Sequence, residues 1–439
     1  MQGISPERND MSKHLLNSTI YNVFVRNFSK EGTFEGVKKQ LPRIKSLGAD
    51  ILWLLPIHPL GEKQRKGALG SPYAISDYRA VNPEFGTLQD FINLCDSAHE
   101  LGLKVMIDIV YNHTSPDSWL AQNHPEWFYH KEDGSFGNRV GDWWDVIDLD
   151  YRNKELWQYQ IDTLTYWAQW VDGFRCDVAP MVPLEFWLKA HEAVEKVRSG
   201  AIWLAESVEK GFVGFNRELG FPCSSDGELY QAFDLTYDYD IKPQFYGALV
   251  DGKGINAYIE AVKNQFFIYP ENGYKMRGLE NHDRVRVAHL IRCPKRLKAW
   301  TAYIFFLRGT ALIYNGQEYA ERHRPTLFDL DTIRSTASMG QDLPEGGMDL
   351  SDFIRTLSDI KKKPIVREGW FTIDEMNGCA LMSYKKDNQG LYGFFPLDGP
   401  AAARVDAPEG RYVNLLDGSE VLIEMGIAMI DRPVIFEAE

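Results

Sequence analysis

Eight short apolar runs, separated by stretches of helical spacing, constrain this chain more than any other feature. They lie at 20–28, 51–57, 105–110, 173–178, 202–205, 232–236, 276–279 and 311–314. The second reads ILWLLPI without a polar break, as a strand covered on both faces must. Between the first two, Val37, Leu41, Ile44 and Leu47 recur at three- and four-residue steps. That is the period of a helix with one buried face, and Gly48 follows as its stop. Comparable segments lie at 91–101, 156–171, 184–197, 255–266, 296–307 and 349–363. Strand then helix, eight times over, predicts an α/β chain built as a (β/α)8 TIM barrel. A doubly wound sheet is the alternative, but it gives no reason for eight regular units.

After residue 363 the texture changes. Strand-like pieces at 370–373, 380–384, 391–395 and 412–415 are split by turn signals such as Asp398-Gly399 and Asp417-Gly418, which predicts a C-terminal antiparallel β domain. The expected division is a barrel over 1–365 and a β-sandwich over 366–439. Within the barrel, 111–153 forms a short excursion after the third strand. It carries Trp119, Trp127, Phe128, Trp143 and Trp144, and a connection that long is usually functional. Trp143 and Trp144 read as packing for the excursion, and Lys361 to Lys363 as a solvated helix end.

Composition narrows the function classes. Hydrophobic residues are 44% and charged residues 25%, an ordinary globular balance. The net charge is 48 − 62 = −14, which argues against nucleic acid or an anionic membrane as partner. No stretch is apolar for long enough to span a bilayer. The 12 Trp, 21 Tyr and 24 Phe supply flat apolar faces, for packing the core or as stacking platforms in a groove. The 5 cysteines form no C-x-x-C pair, so a zinc ribbon is not expected and a reducing compartment fits. Residues 1–17 are polar and show no apolar leader core. The expected location is the cytoplasm; the oligomeric state is not legible.

In such a barrel the chemistry sits at the C-terminal ends of the strands. Four runs carry carboxylates there: Asp108, Asp177, Glu206 and Asp283. One acid beside an apolar run is costly but unremarkable as packing; four on one rim are hard to explain that way. Arg175 lies two before Asp177, so both project to one side of the sheet, and an adjacent guanidinium would keep the carboxylate ionised and aimed. Neighbouring carboxylates would raise Glu206 into the range of a proton donor. An acid and a nucleophile, with no phosphate-binding loop, fit glycoside cleavage.

These residues also resemble a known family. Asp108-Ile-Val-Tyr-Asn-His113, Gly173-Phe-Arg-Cys-Asp177, Glu206 after Trp-Leu-Ala, and Glu280-Asn-His-Asp283 are similar, in order, to the four sequence regions of the α-amylase family, glycoside hydrolase family 13. The stretches SPYAISDY at 71–78 and NPEFG at 82–86 resemble the segment after the family's second strand. Asp148-Leu-Asp150 resembles its fifth region. The resemblance implies Asp177 as nucleophile, Glu206 as acid/base and Asp283 as transition-state stabiliser. Tyr73, His113, Arg175, His282 and Arg286 would hold the glucosyl unit or the centre's acids, with Asp108 behind them bonding Arg175. The implied reaction is retaining hydrolysis of α-1,4-glucan or maltooligosaccharides, with carboxyls about 5–5.5 Å apart. Alternatives are a transglycosylase or disaccharide glucosyltransferase or isomerase, and a non-catalytic sugar-binding scaffold.

Many relatives hold calcium through an Asn at the position of Asn112 and a His carbonyl after the fourth strand. Here that second position reads Ala179-Pro180-Met181. The expectation is therefore no required cofactor, with calcium at Asn112 as an alternative.

Overall fold

The structure, a computed structural model, describes residues 13–140 and 143–439. Most of the segment expected to lack a leader, residues 1–12, lies outside the described residues. Eight parallel strands close into a barrel in chain order: β1 Thr19–Val23, β2 Ile51–Leu54, β3 Lys104–Ile109, β4 Gly173–Cys176, β5 Ile202–Ala205, β6 Leu235–Tyr237, β7 Tyr274–Arg277 and β8 Thr310–Tyr314. The ring closes where Thr19 pairs with Ala311. Apart from Lys104 every strand residue is buried, because helices cover the outside and side chains fill the inside.

The differences from the expected elements have physical reasons. The run at 20–28 stops as a strand at Val23, and Val25–Phe28 coils into a helical turn. Ala232 and Phe233 close the turn after the helix Asp226–Leu229, each N–H donating to Leu229 O, so β6 starts three residues later than predicted. β7 starts earlier than its apolar run. Its Lys275 is buried against Asp226 and, at 3.1 Å, Asp240, so a charged residue occupies a strand position. The helix expected at 34–47 breaks into Phe34–Lys38 and Leu41–Ser46; Pro42 has no N–H for the carbonyl four residues back. Pro364 likewise separates Ser351–Lys361 from Pro364–Glu368.

Lys361 corrects the reading of a solvated helix end. It is buried, and its Nζ donates to Phe305 O at 3.0 Å and Leu307 O at 3.3 Å. These carbonyls end the helix Pro294–Phe306, where a cation is favoured. Burial pushes the amine down to about 7.

After Gly369 two four-stranded antiparallel sheets follow. One contains Trp370–Met376, Cys379–Lys386, Gln389–Pro396 and Val434–Ala438; the other contains Ala401–Arg404, Ile427–Ile430, Glu420–Glu424 and Gly410–Val413. Burial alternates along Glu420–Glu424, and Phe394, Phe436, Ile423 and Ile430 share the core between the sheets. Phe306 joins the first sheet to the barrel through the rings of Tyr384 and Phe395. Among the described residues no helix is long and apolar enough to cross a membrane.

Candidate active site

Register builds the site. Asp108 on β3 is the direct partner of Arg175 on β4. The ladder then runs one residue past each strand end: Asp177 N donates to Ile109 O at 2.8 Å, and Glu206 N to Cys176 O at 3.0 Å. Neighbouring strands thus present Asp177 and Glu206 side by side at the C-terminal rim. Val178, the next residue, has φ 35°, a left-handed conformation that a β-branched residue seldom adopts. In that conformation its N–H donates to Glu206 Oε2 at 2.9 Å.

Arg175 is the hub. Its Nη1 donates to Asp108 Oδ1 at 2.7 Å and Asp177 Oδ1 at 2.8 Å, and its Nε to Tyr237 Oη at 3.1 Å. Its Nη2 lies 2.9 Å from Glu206 Oε2, an ion pair without hydrogen-bond alignment. The rings of Trp53, Tyr73 and Tyr237 surround the guanidinium at 5.5–5.7 Å. Behind the acids, Tyr73 Oη donates to Asp108 Oδ2 at 3.2 Å and lies 2.7 Å from His282 Nε2. The Tyr73 and His282 rings are stacked at 5.6 Å. His282 Nε2 is also 3.2 Å from Asp283 Oδ2. His113 Nε2 stands 3.9 Å from Asp177 Oδ2. Asp108, Asp177, Glu206, Asp283, Tyr73, His113, Arg175 and His282 therefore form one linked cluster.

One guanidinium facing three carboxylates leaves an excess of negative charge. Burial first, then the neighbouring acids, raises Asp177 to about 6 and Glu206 to about 7 against the pull of Arg175. Arg175 pulls Asp177 toward the ionised form as expected, but desolvation outweighs that pull and leaves the carboxyl at about 6. Glu206 is the member most ready to hold a proton at neutral pH. For Asp283 desolvation opposes the charge, but His282, Arg175 and Arg324 outweigh it and hold the carboxyl below the usual range. Its side chain is also 45% exposed. Burial pushes His113 down to about 4, so its imidazole is neutral near pH 7.

Arg286 departs from the expected contact with the centre's acids. It is fully buried, with Nη1 on Glu280 Oε1 at 2.7 Å, Nε on His323 O and Nη2 on Asn315 O. Its donors are spent inside the fold, where it braces the loops after β7 and β8. Trp143, read as excursion packing, lies against the His113 ring at 5.5 Å, while Trp144 is half exposed with Lys66 over it. Sequence reasoning missed Tyr237 and Trp53, which show only as ordinary strand aromatics. It also missed Arg139, in an aperiodic loop.

The Asn112 oxygen, the one side-chain atom expected to receive calcium, faces a cation of the chain itself. Arg139 Nη2 donates to Asn112 Oδ1 at 2.6 Å and Nε to Asp148 Oδ2 at 2.8 Å. Among the described residues no group of three or more His, Cys, Asp or Glu side chains is arranged to hold a metal. A calcium ion needs about six to eight oxygen ligands, so this donor set does not fit one.

Two family descriptions match. Residues 17–344 match the alpha amylase catalytic domain, and 372–436 the bacterial alpha amylase C-terminal domain. The chain belongs to the α-amylase family. Among solved structures it is similar to an alpha-amylase from Lactobacillus plantarum, at 48% identity and TM-score 0.92 over 97% of this chain and 100% of that one. A maltogenic alpha-amylase from Thermotoga neapolitana is similar at 33% identity and TM-score 0.83, over 97% and 99%. Alpha-amylase MalA of Haloarcula japonica is 28% identical over 391 residues, 83% of this chain and 54% of that protein. An alpha-1,4-glucan:maltose-1-phosphate maltosyltransferase of Picrophilus torridus is 30% identical over 249 residues, 50% of this chain and 39% of that protein. The chain thus spans about half or less of the length of these curated relatives.

Proposed function

We propose that this chain is a retaining α-glucoside hydrolase acting on α-1,4-linked glucan or maltooligosaccharides. The observation that carries the reading is the pairing of Asp177 and Glu206 on one buried arginine. In the first step a carboxylate oxygen of Asp177 attacks the anomeric carbon, and the Glu206 proton goes to the departing glycosidic oxygen. The glucosyl unit is then an ester of Asp177. In the second step Glu206, now ionised, takes a proton from water as its oxygen attacks the same carbon, and Asp177 leaves as carboxylate. Asp283, roughly half exposed beside His282, grips sugar hydroxyls on this reading. No cofactor enters either step. All five cysteines are free, which supports a reducing compartment, the cytoplasm on this reading.

A second reading is transfer to a sugar instead of water, favoured by the similarity to maltosyltransferases. The two differ only in what reaches the ester. Incubation with maltotriose, with products resolved by length, separates them. Glucose and maltose alone support hydrolysis, and chains longer than the substrate support transfer. A panel adding starch, pullulan, sucrose and trehalose tests linkage. The absence of turnover on every member would overturn both readings in favour of a sugar-binding scaffold.

A further inference from the structure

We propose that Arg139 is an internal cation that closes the Asn112 and Asp148 oxygens to metal and fixes the proton of His113 on the nitrogen facing Asp177. The argument begins with donors and acceptors. A guanidinium only donates, so the Asn112 atom 2.6 Å from Arg139 Nη2 is the amide oxygen. That settles which way the Asn112 amide points. Its Nδ2 is then turned to His113 Nδ1 at 3.1 Å and Asp148 Oδ1 at 3.4 Å. An amide N–H also only donates, so His113 Nδ1 is the acceptor in a neutral imidazole. The ring proton is left on Nε2, the atom 3.9 Å from Asp177 Oδ2.

Arg139 is held for this task from several sides. Its Nε and its backbone N both donate to Asp148 Oδ2 at 2.8 Å, and its side chain is only 8% exposed. The guanidinium also lies 5.7 Å over the ring of Phe221, in the segment that follows Glu206. Asp148 is the ladder partner of His113 in the two-stranded ribbon of the excursion. One side chain therefore ties the excursion to the loops after β3 and β5. Arg139 is a positioning residue: it reaches the reaction only through Asn112 and His113.

The test uses the full chain. Asn112→Asp keeps an oxygen for Arg139 but removes the donor to His113. It is expected to lower kcat on the best substrate roughly tenfold or more, and the thermal midpoint less than Arg139→Ala does, since one carboxylate oxygen then faces Asp148 Oδ1. Arg139→Ala is expected to lower both, and Arg139→Lys to recover the midpoint better than the rate. The 15N shifts of the His113 ring, assigned by difference against a His113→Ala sample, should report the Nε2–H form in the unaltered protein. In Asn112→Asp they should report its loss. The unaltered protein should keep one thermal midpoint in chelator and in added calcium. A midpoint that falls in chelator, or Asn112→Asp with full kcat and an unchanged tautomer, would overturn the proposal. The shifts and the midpoints can be read even if the enzyme proves to be a transferase or a scaffold.

Discussion

Arg175 and Arg286 are both fully buried near the C-terminal ends of barrel strands, yet their surroundings teach opposite lessons. Arg286 meets one carboxylate, Glu280, which also accepts from Val287 N–H at 2.6 Å, and its other donors go to carbonyls. There one guanidinium is matched by one paired carboxylate and two carbonyls. Arg175 meets three carboxylates and leaves one nitrogen poorly aligned. That region carries excess negative charge, and burial first, with the neighbouring acids adding to it, keeps Glu206 protonated into the neutral range. The same residue type braces the fold where charges match and poises it for chemistry where they do not.

The comparison can be broken in several ways. The largest effect is expected at Asp177→Asn, which should lower kcat by roughly 10³-fold or more while the thermal midpoint stays close to that of the unaltered protein. Next come two matched Glu→Gln changes with opposite signs. Glu280→Gln takes the directly paired carboxylate from a buried arginine and should cost about 3 kcal/mol in denaturant unfolding. Glu206→Gln relieves a crowded arginine and should stabilise. Glu206 is raised from 4.5 to about 7 in the folded protein. Its contribution is full below the unfolded value and is lost as pH rises through the folded one. The gain from Glu206→Gln should therefore be absent in acid and grow as pH rises through about 7. If both variants destabilise equally, the contrast between the two arginines fails.

Smaller effects sharpen the same contrast. Activity needs Asp177 ionised and Glu206 protonated, so kcat/KM should follow a narrow bell with an acid limb near 6 and an alkaline limb near 7. Both limbs belong to the coupled pair. A plateau extending several units above 7 would contradict the assignment of Glu206. Tyr73→Phe removes a hydroxyl between Asp108 and His282. It should lower kcat/KM about tenfold, equivalent to about 1.4 kcal/mol, with little loss of stability.

Much of this was legible in the sequence because burial on both faces leaves a plain trace. β3, β4 and β5 overlap apolar runs, and the acids Asp108, Asp177 and Glu206 stand out against them. β7 was partly hidden because Lys275 is charged but paired, so polarity masked a strand residue. Lys361 was misread for the converse reason: its helix-end position suggested solvent, while its ammonium is satisfied by carbonyls from another helix. The partners of Arg175 at Tyr237 and Trp53 come from strands distant in the chain, and only closure of the barrel brings them together. Arg139 sits where no period exists to mark it.

The central claim is that Asp177 bonds to the anomeric carbon with Glu206 as its acid. A fluorinated maltosyl fluoride, which slows release of the ester, tests it by intact-protein mass followed by peptide mapping. The account predicts one added glycosyl unit, located on Asp177 and absent in Asp177→Asn. An adduct on another residue, or none while the same reagent is turned over, would contradict it.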